Sequence, residues 1–253
     1  MERIIRKPHL PEGEVRCLII GEKYRNILKN PLKQHNISAI CAGNNNFVDE
    51  RLCGHIDLSV AHMGENRISA AEYLKNSEFV NKLTQLGFDV KFVANPKSES
   101  YPDDAAMNVC IIGENVICNP KTASEIVTAG RQILSCKQGY TKCTVAVVDA
   151  NSIITSDKSI AANSALYGIE SLLIDDSFVK LQGFNKGFIG GASFKISRNR
   201  IAFTGIIKND EAKSAIENFL SVRGIEAEYL TDEEIFDIGS AIPIIEEIWP
   251  ESV

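Results

Sequence analysis

Histidine is scarce in this chain. There are four, His9, His35, His55 and His62, and none follows His62. Cysteine is present but unpaired in pattern: Cys17, Cys41, Cys53, Cys110, Cys118, Cys136 and Cys143 are seven in number, with no CxxC and none after Cys143. An odd count without that spacing gives no pattern of paired cysteines. Most of these cysteines sit in apolar runs such as RCLIIG, AICAG and NVCIIG, so they are expected as small buried hydrophobes in a reducing cytoplasm. Aromatics are sparse at 7%, with Trp249 the single tryptophan. A basic excess is lacking too. The formal charge of −6, the pI near 5.4 and the lack of a long basic run argue against the clustered basic surface that a nucleic-acid partner requires. No run approaches the roughly 20 apolar residues of a membrane helix, so no membrane partner is expected. The opening MERIIRKPHLPEGEVR is charged and proline-interrupted, and no secretory leader is expected there.

What the chain has is a repeat. Five polar or glycine-rich segments each lead into a short apolar strand: Gly54-His55-Ile56-Asp57, Asp103-Asp104-Ala105-Ala106-Met107-Asn108, Gly139-Tyr140-Thr141-Lys142-Cys143, Gly187-Phe188-Ile189-Gly190-Gly191 and Phe236-Asp237-Ile238-Gly239-Ser240. A hairpin partner, a helix and another strand usually follow. Turn signals mark the hairpins at Gly64-Glu65-Asn66, Gly113-Glu114-Asn115, Asp149-Ala150-Asn151 and Ser197-Arg198-Asn199. Helices are expected over 22–33, with Pro31 breaking the end, and over 77–86, 122–131, 159–167 and 210–222. Gly87, Gly168 and Gly224 stand where three of them should stop. One strand, Ala241–Ile245, is left without a helix, and the first unit lacks a lead-in strand. Pairing the two closes a ring, with inner strands starting near residues 58, 109, 144, 192 and 241. The expected fold is therefore a single α/β domain over 1–253, a five-bladed α/β propeller closed by the C-terminal strand. An open doubly wound sheet is disfavoured because a βαβ crossover has no hairpin.

This five-unit pattern resembles the pentein superfamily, whose fold carries enzymes that modify guanidino groups. The phrases VICNPKT, KQGYTKC, GFIGGAS and DIGSAIP resemble an uncharacterised bacterial family of that fold. The resemblance implies a site at the mouth of the ring, built from the lead-in segments. It also implies a cysteine nucleophile beside the last inner strand, a histidine before another inner strand, and carboxylates gripping a guanidinium. A thiolate can attack the guanidinium carbon, and paired carboxylates suit a planar cation with several N–H donors. Carried over by position, the cysteine would fall near Gly239-Ser240-Ala241 and the histidine near Thr141-Lys142-Cys143. Neither residue type stands at its place, apart from Cys143 itself. The carboxylate and amide positions match Asp57, Asn108 and Asp237. The expectation is a ligand-binding mouth without the standard Cys/His pair.

The residues themselves add candidates. Cys143 sits in a polar segment beside Lys142, which could lower its pKa, and is a relocated nucleophile or a packed cysteine opening a core strand. Asp103 and Asp104 follow Tyr101-Pro102, as cation ligands or as a turn. Gly190-Gly191 is an anion-holding nest of amides or a place where backbones crowd. Ser240 is a poor nucleophile with no base in view. His55 and Asp57 would share one strand face with His62 at the far end, which reads as a structural pair rather than a metal site. His9 and His35 read as surface residues. The ligand-binding set is thus Asp57, Asp103, Asp104, Asn108, Lys142, Gly190, Gly191, Asp237 and Ser240, with Cys143 as the catalytic candidate, no metal and no cofactor. The partner expected is a small cationic or guanidino molecule. A guanidino-modifying hydrolase or transferase using Cys143, or a protein-interaction propeller, are the alternatives.

Overall fold

The computed structural model describes residues 1–249. The chain builds one α/β architecture from repeated units. The first holds β1 (Glu2–Ile4), β2 (Glu14–Gly21), α1 (Arg25–Gln34) and β3 (Ser38–Ala42). The second holds β4 (Val60–Gly64), β5 (Arg67–Ala71), α2 (Glu78–Gln85) and β6 (Asp89–Val93). The third holds β7 (Cys110–Ile112), β8 (Asn115–Cys118), α3 (Glu125–Thr128) and β9 (Gln132–Ser135). The fourth opens with a helical turn, α4 (Thr141–Thr144), then β10 (Val145–Asp149), β11 (Ser152–Thr155), α5 (Lys158–Ala165) and β12 (Glu170–Leu173). The fifth holds β13 (Ser193–Ser197), β14 (Arg200–Phe203), α6 (Asp210–Ser221) and β15 (Glu226–Tyr229), and β16 (Ile242–Glu247) follows.

Each unit pairs in the same way. In the second to fifth, the first two strands form an antiparallel hairpin and the third returns parallel through the helix, as β4-β5-β6 does. In the first, β2 pairs parallel with β3 and antiparallel with β16 from the far end of the chain, with Ile242 opposite Ile19, and a single antiparallel pair, Glu14 with Ser197, joins β2 to β13 of the fifth unit in one sheet. β1 pairs on the other edge of β16.

Local chemistry explains the helix limits. Ser77, Ser124, Asp157 and Asn209 each accept a first-turn backbone N–H through the side chain, the usual way to satisfy a helix start. α2, α5 and α6 stop at Gly87, Gly168 and Gly224, each with positive φ. The residue after each glycine donates its N–H back to the last turn, as Phe88 does to the Leu83 carbonyl. Two expectations change. Pro31 lies inside α1 rather than ending it. The carbonyl it leaves without a partner belongs to Ile27, which is exposed, so water can take that role. The expected helix over 122–131 shortens to α3, because Ala129 leaves helical backbone and Gly130 turns left-handed. β1 has no counterpart in the sequence pattern, since its three residues stand as a strand only against β16.

The apolar faces pack between neighbouring units. Ile68, Phe79 and Leu83 of the second meet Ile19 and Ile244. Ala61 and Met63 meet Val109 and Val116 of the third. Ile112 and Ile117 meet Val145 and Ile153 of the fourth. Ala146 and Ile154 meet Phe203 and Ile216 of the fifth. Phe194 and Ile196 meet Leu18, Leu28 and Leu32 of the first. No unit buries its faces alone, and burial at about 25 cal/mol per Å² rewards the array rather than the repeat.

Candidate functional site

The lead-in segments bring a set of buried polar side chains together. His55 precedes a 3-10 turn over Ile56–Leu58, closed by the Leu58 N–H on the His55 carbonyl. His55 and Asp57 therefore do not lie on a strand, as their spacing predicts, but both remain buried at the start of β4. Likewise Cys143 does not open a core strand but lies with Lys142 in the turn α4. The Asn108 side chain explains that turn. Its Oδ1 accepts the Lys142 N–H at 2.7 Å and the Cys143 N–H at 3.2 Å, while its Nδ2 donates to Cys143 Sγ at 3.3 Å.

Cys143 Sγ donates to Asp57 Oδ2 at 2.8 Å. Desolvation pushes the Asp57 carboxyl up to about 7, opposed mainly by the Cys143 hydrogen bond. Desolvation, with the nearby Asp57 and Asp237 carboxylates, holds the Cys143 thiol well above its ordinary value. The thiol is therefore held in its protonated form. Lys142 does not supply the lowered pKa its adjacency suggests. It is buried, and its Nζ donates to the Gly190 carbonyl at 3.1 Å.

Asp237 is buried and accepts the Phe188 N–H at 2.9 Å and the Gly239 N–H at 2.8 Å. Its Oδ1 stands 3.9 Å from His55 Nδ1. Burial lowers the His55 pKa, with Asp237 opposing, and raises that of Asp237. Glycines permit this packing. A Cβ on Gly191 would lie 2.0 Å from Asp237 Oδ1, and one on Gly239 would lie 2.3 Å from His55 Cβ. Gly190 and Gly191 do not offer a free nest: the Gly190 carbonyl takes Lys142, and the Gly191 N–H donates to the Cys143 carbonyl. Ser240 is buried, with its Oγ on the Ala241 carbonyl. Asp104 is buried and its Oδ2 accepts the Tyr140 hydroxyl at 2.7 Å, whereas Asp103 is exposed in the 3-10 turn Asp103–Ala105.

A cavity of about 520 Å³ meets this cluster at His55 and Cys143 and is lined further by Tyr140, Phe184, Lys186 and Phe188 among others, while Asp57 and Asp237 stand outside its lining. Phe188 and Tyr140 line it and do not fill it. Three buried side-chain atoms in and beside the cluster, His55 Nε2, Asp57 Oδ1 and Asp104 Oδ1, have no hydrogen-bond partner among the described residues. Unpartnered buried polar atoms are costly and mark places where a ligand group can bond.

His55 has no counterpart among the positions that the pentein resemblance carries over. It lies against Gly239, beside the segment where a cysteine was expected, while Cys143 stands where a histidine was expected. The available signal was the lead-in segment itself, since His55 is the only histidine in any of the five. His62 turns elsewhere, donating Nε2–H to the Glu65 carbonyl at 2.9 Å. His9 is buried beside Lys142 and His62 rather than on the surface, because the N-terminal segment packs over the inner strands. His35 is half-buried, with Nε2 3.6 Å from Glu228.

The fold is that of the pentein superfamily. Among solved structures, the inosamine-phosphate amidinotransferase StrB1 from Streptomyces griseus superposes with a TM-score of 0.59 at 9% identity, covering 96% of this chain and 97% of that one. SxtG, an amidinotransferase from Microseira wollei in the saxitoxin biosynthetic pathway, gives 0.58 at 9% identity, covering 92% and 96%. An agmatine deiminase from C. jejuni gives 0.53 at 10%, covering 90% of each. The chain belongs to a family of unknown function (DUF6873), whose model matches residues 19–242. No curated protein matches the sequence. No helix among the described residues is long and apolar enough to cross a membrane.

Proposed function

We propose that this protein is a thiol-dependent enzyme acting on a small cationic guanidino or amidino compound, with Cys143 as its nucleophile. The carrying observation is the hydrogen bond from Cys143 Sγ to Asp57 Oδ2, 2.8 Å long, at the wall of a cavity of about 520 Å³. The ring in this reading is a closed five-bladed propeller. The pairing of β16 with β2 and the apolar clusters shared by each unit with the next support it.

The chemistry follows from the charges. Two buried carboxylates, Asp57 and Asp237, and a thiol that resists ionisation need a cation. A bound guanidinium donates N–H bonds to the idle Asp57 Oδ1 and favours the thiolate beside it. Tyr140, Phe184 and Phe188 give its planar face aromatic surface. Cys143 Sγ then bonds to the central carbon while its proton passes to Asp57. The C–N bond breaks, and the amine departs carrying that proton. Water or a second amine then bonds to that carbon as neutral His55 takes its proton, the C–S bond breaks, and His55 returns the proton to the released Cys143 sulfur. Asn108 and Asp237 act as positioning residues for Cys143 and His55. The relatives named amidinotransferase and agmatine deiminase support a guanidino substrate class, and free thiols suit a reducing cytoplasm.

The burial of Cys143 favours a second reading, ligand binding without turnover. One experiment separates the two. A panel of guanidino compounds is assayed for released amine, with thermal shift alongside, on wild type and Cys143→Ala. Turnover by wild type alone supports the enzyme. A thermal shift without turnover supports the binding protein, and neither response removes both.

A further inference from the structure

We infer that His55, Asp57 and Cys143 form a site for a thiophilic divalent cation, zinc in the first instance, which competes with the cationic ligand. Ligand atoms of these three buried residues lie within 4.8 Å of one another. An imidazole, a carboxylate and a thiolate are the donors zinc takes, in contrast to the all-oxygen sets of magnesium and calcium. Two atoms on these residues are idle: His55 Nε2 and Asp57 Oδ1 are buried without a hydrogen-bond partner among the described residues. Between Cys143 Sγ and Asp57 Oδ2 stands a proton that a metal can displace. Metal entry replaces that proton, which leaves to solvent, so the exchange is one dication in and one proton out.

The outer groups are those a metal site uses. Asn108 Nδ2 donates to the sulfur at 3.3 Å, and the Asp237 carboxylate stands beside the imidazole, with Oδ1 3.9 Å from His55 Nδ1. Three protein ligands leave a fourth position facing the cavity that His55 and Cys143 line. Three protein ligands with one open place are the arrangement of an accessible zinc, not of a closed structural one. A dication also offsets the buried charge of Asp57, Asp237 and the thiolate. The site differs from the His55, Asp57 and His62 grouping suggested by spacing, because His62 bonds to the Glu65 carbonyl and Cys143 takes its place.

Binding of zinc does not depend on the proposed catalysis. Its consequence does: zinc on the sulfur withholds the nucleophile, so a guanidino-cleaving enzyme would be inhibited and a chelator would restore it. The test uses cobalt(II) as a coloured probe and zinc in equilibrium dialysis, on the whole chain. Wild type is expected to show a thiolate-to-cobalt charge-transfer band in the near ultraviolet and to hold one zinc. Cys143→Ser loses the band, and His55→Gln weakens zinc by at least about tenfold. Unfolding temperatures measured without metal establish that both variants fold. A folded wild type with no band, or zinc held equally by wild type, Cys143→Ser and His55→Gln, overturns the site. Zinc bound as described by a protein that turns over no guanidino compound sinks the catalytic reading alone. Turnover untouched by zinc, with no band, sinks this inference alone.

Discussion

Cys110 and Cys143 are both buried, both near the start of an inner strand, and both hard to ionise. Their surroundings differ completely. Cys110 lies among Ile112, Ile117 and Val145, and desolvation pushes its thiol up to about 12. Cys143 has an acceptor in Asp57, a donor in Asn108 and a cavity beside it. Burial alone makes a thiol inert. In the proposed reaction, burial beside carboxylates and a cavity keeps the thiol inert until a cation arrives, which is what a selective nucleophile needs.

The largest contrast is expected from replacing each sulfur. Cys143→Ser should abolish release of amine from a guanidino substrate, with the unfolding temperature near wild type. Cys110→Ala should leave turnover intact and cost roughly 1 kcal/mol in denaturant unfolding. Activity surviving in Cys143→Ser would erase the distinction.

Asp57→Asn comes next. It keeps the shape and removes the proton acceptor, so kcat should fall by about 100- to 10,000-fold, the usual worth of a positioned base. Ligand binding should weaken with it, since an amide carries no charge for a guanidinium. Stopped-flow turnover and thermal shift read the two effects separately.

Acid should then act through His62. Desolvation lowers its pKa to about 4 against an ordinary 6.5. The unfolded state binds the proton more readily in that window. Stability is thus fully present above about pH 6.5 and is lost as pH falls, by about 3 kcal/mol once below about pH 4. The raised Asp57 carboxyl works in the opposite direction, so the contribution is read as the difference between wild type and His62→Gln across that range. Equal slopes in the two proteins would remove His62 from the account of the polar interior.

The smallest effect is steric. Gly191→Ala places a methyl 2.0 Å from Asp237 Oδ1 and should cost about 1–3 kcal/mol as that carboxylate shifts. Turnover should fall with it, through His55. A fully active Gly191→Ala would show that Asp237 has no positioning role.

Much of the unit architecture is legible in the sequence. Inner strands expected near 58, 109, 144, 192 and 241 begin at Val60, Cys110, Val145, Ser193 and Ile242. Alternating apolar runs and three helix-ending glycines are local signals, and they survive folding. β1 is not legible, because it is a strand only through its pairing with β16. Neither is the turn α4, which rests on Asn108, more than thirty residues earlier in the chain. The candidate site divides in the same way. Asp57, Asn108, Cys143 and Asp237 stand out as polar residues at the entrances of apolar strands. Their partnerships do not, since Cys143 meets Asp57 across 86 positions and spacing carries no trace of that contact. The same holds for His55. Read within its own segment it pairs with Asp57, and only the approach of Gly239 and Asp237 turns it into a neighbour of the thiol's cluster.

The most direct measurement offers the protein two electrophiles of similar reach, cationic chloroacetamidine and neutral iodoacetamide, and locates the adducts by peptide mass spectrometry. Chloroacetamidine should label Cys143 first and stoichiometrically, while iodoacetamide should reach the half-buried Cys41 and Cys53 before it and leave Cys110 untouched by either reagent. Chloroacetamidine labelling that ignores Cys143, or follows only the exposure of each thiol, would contradict a nucleophile activated by a bound cation.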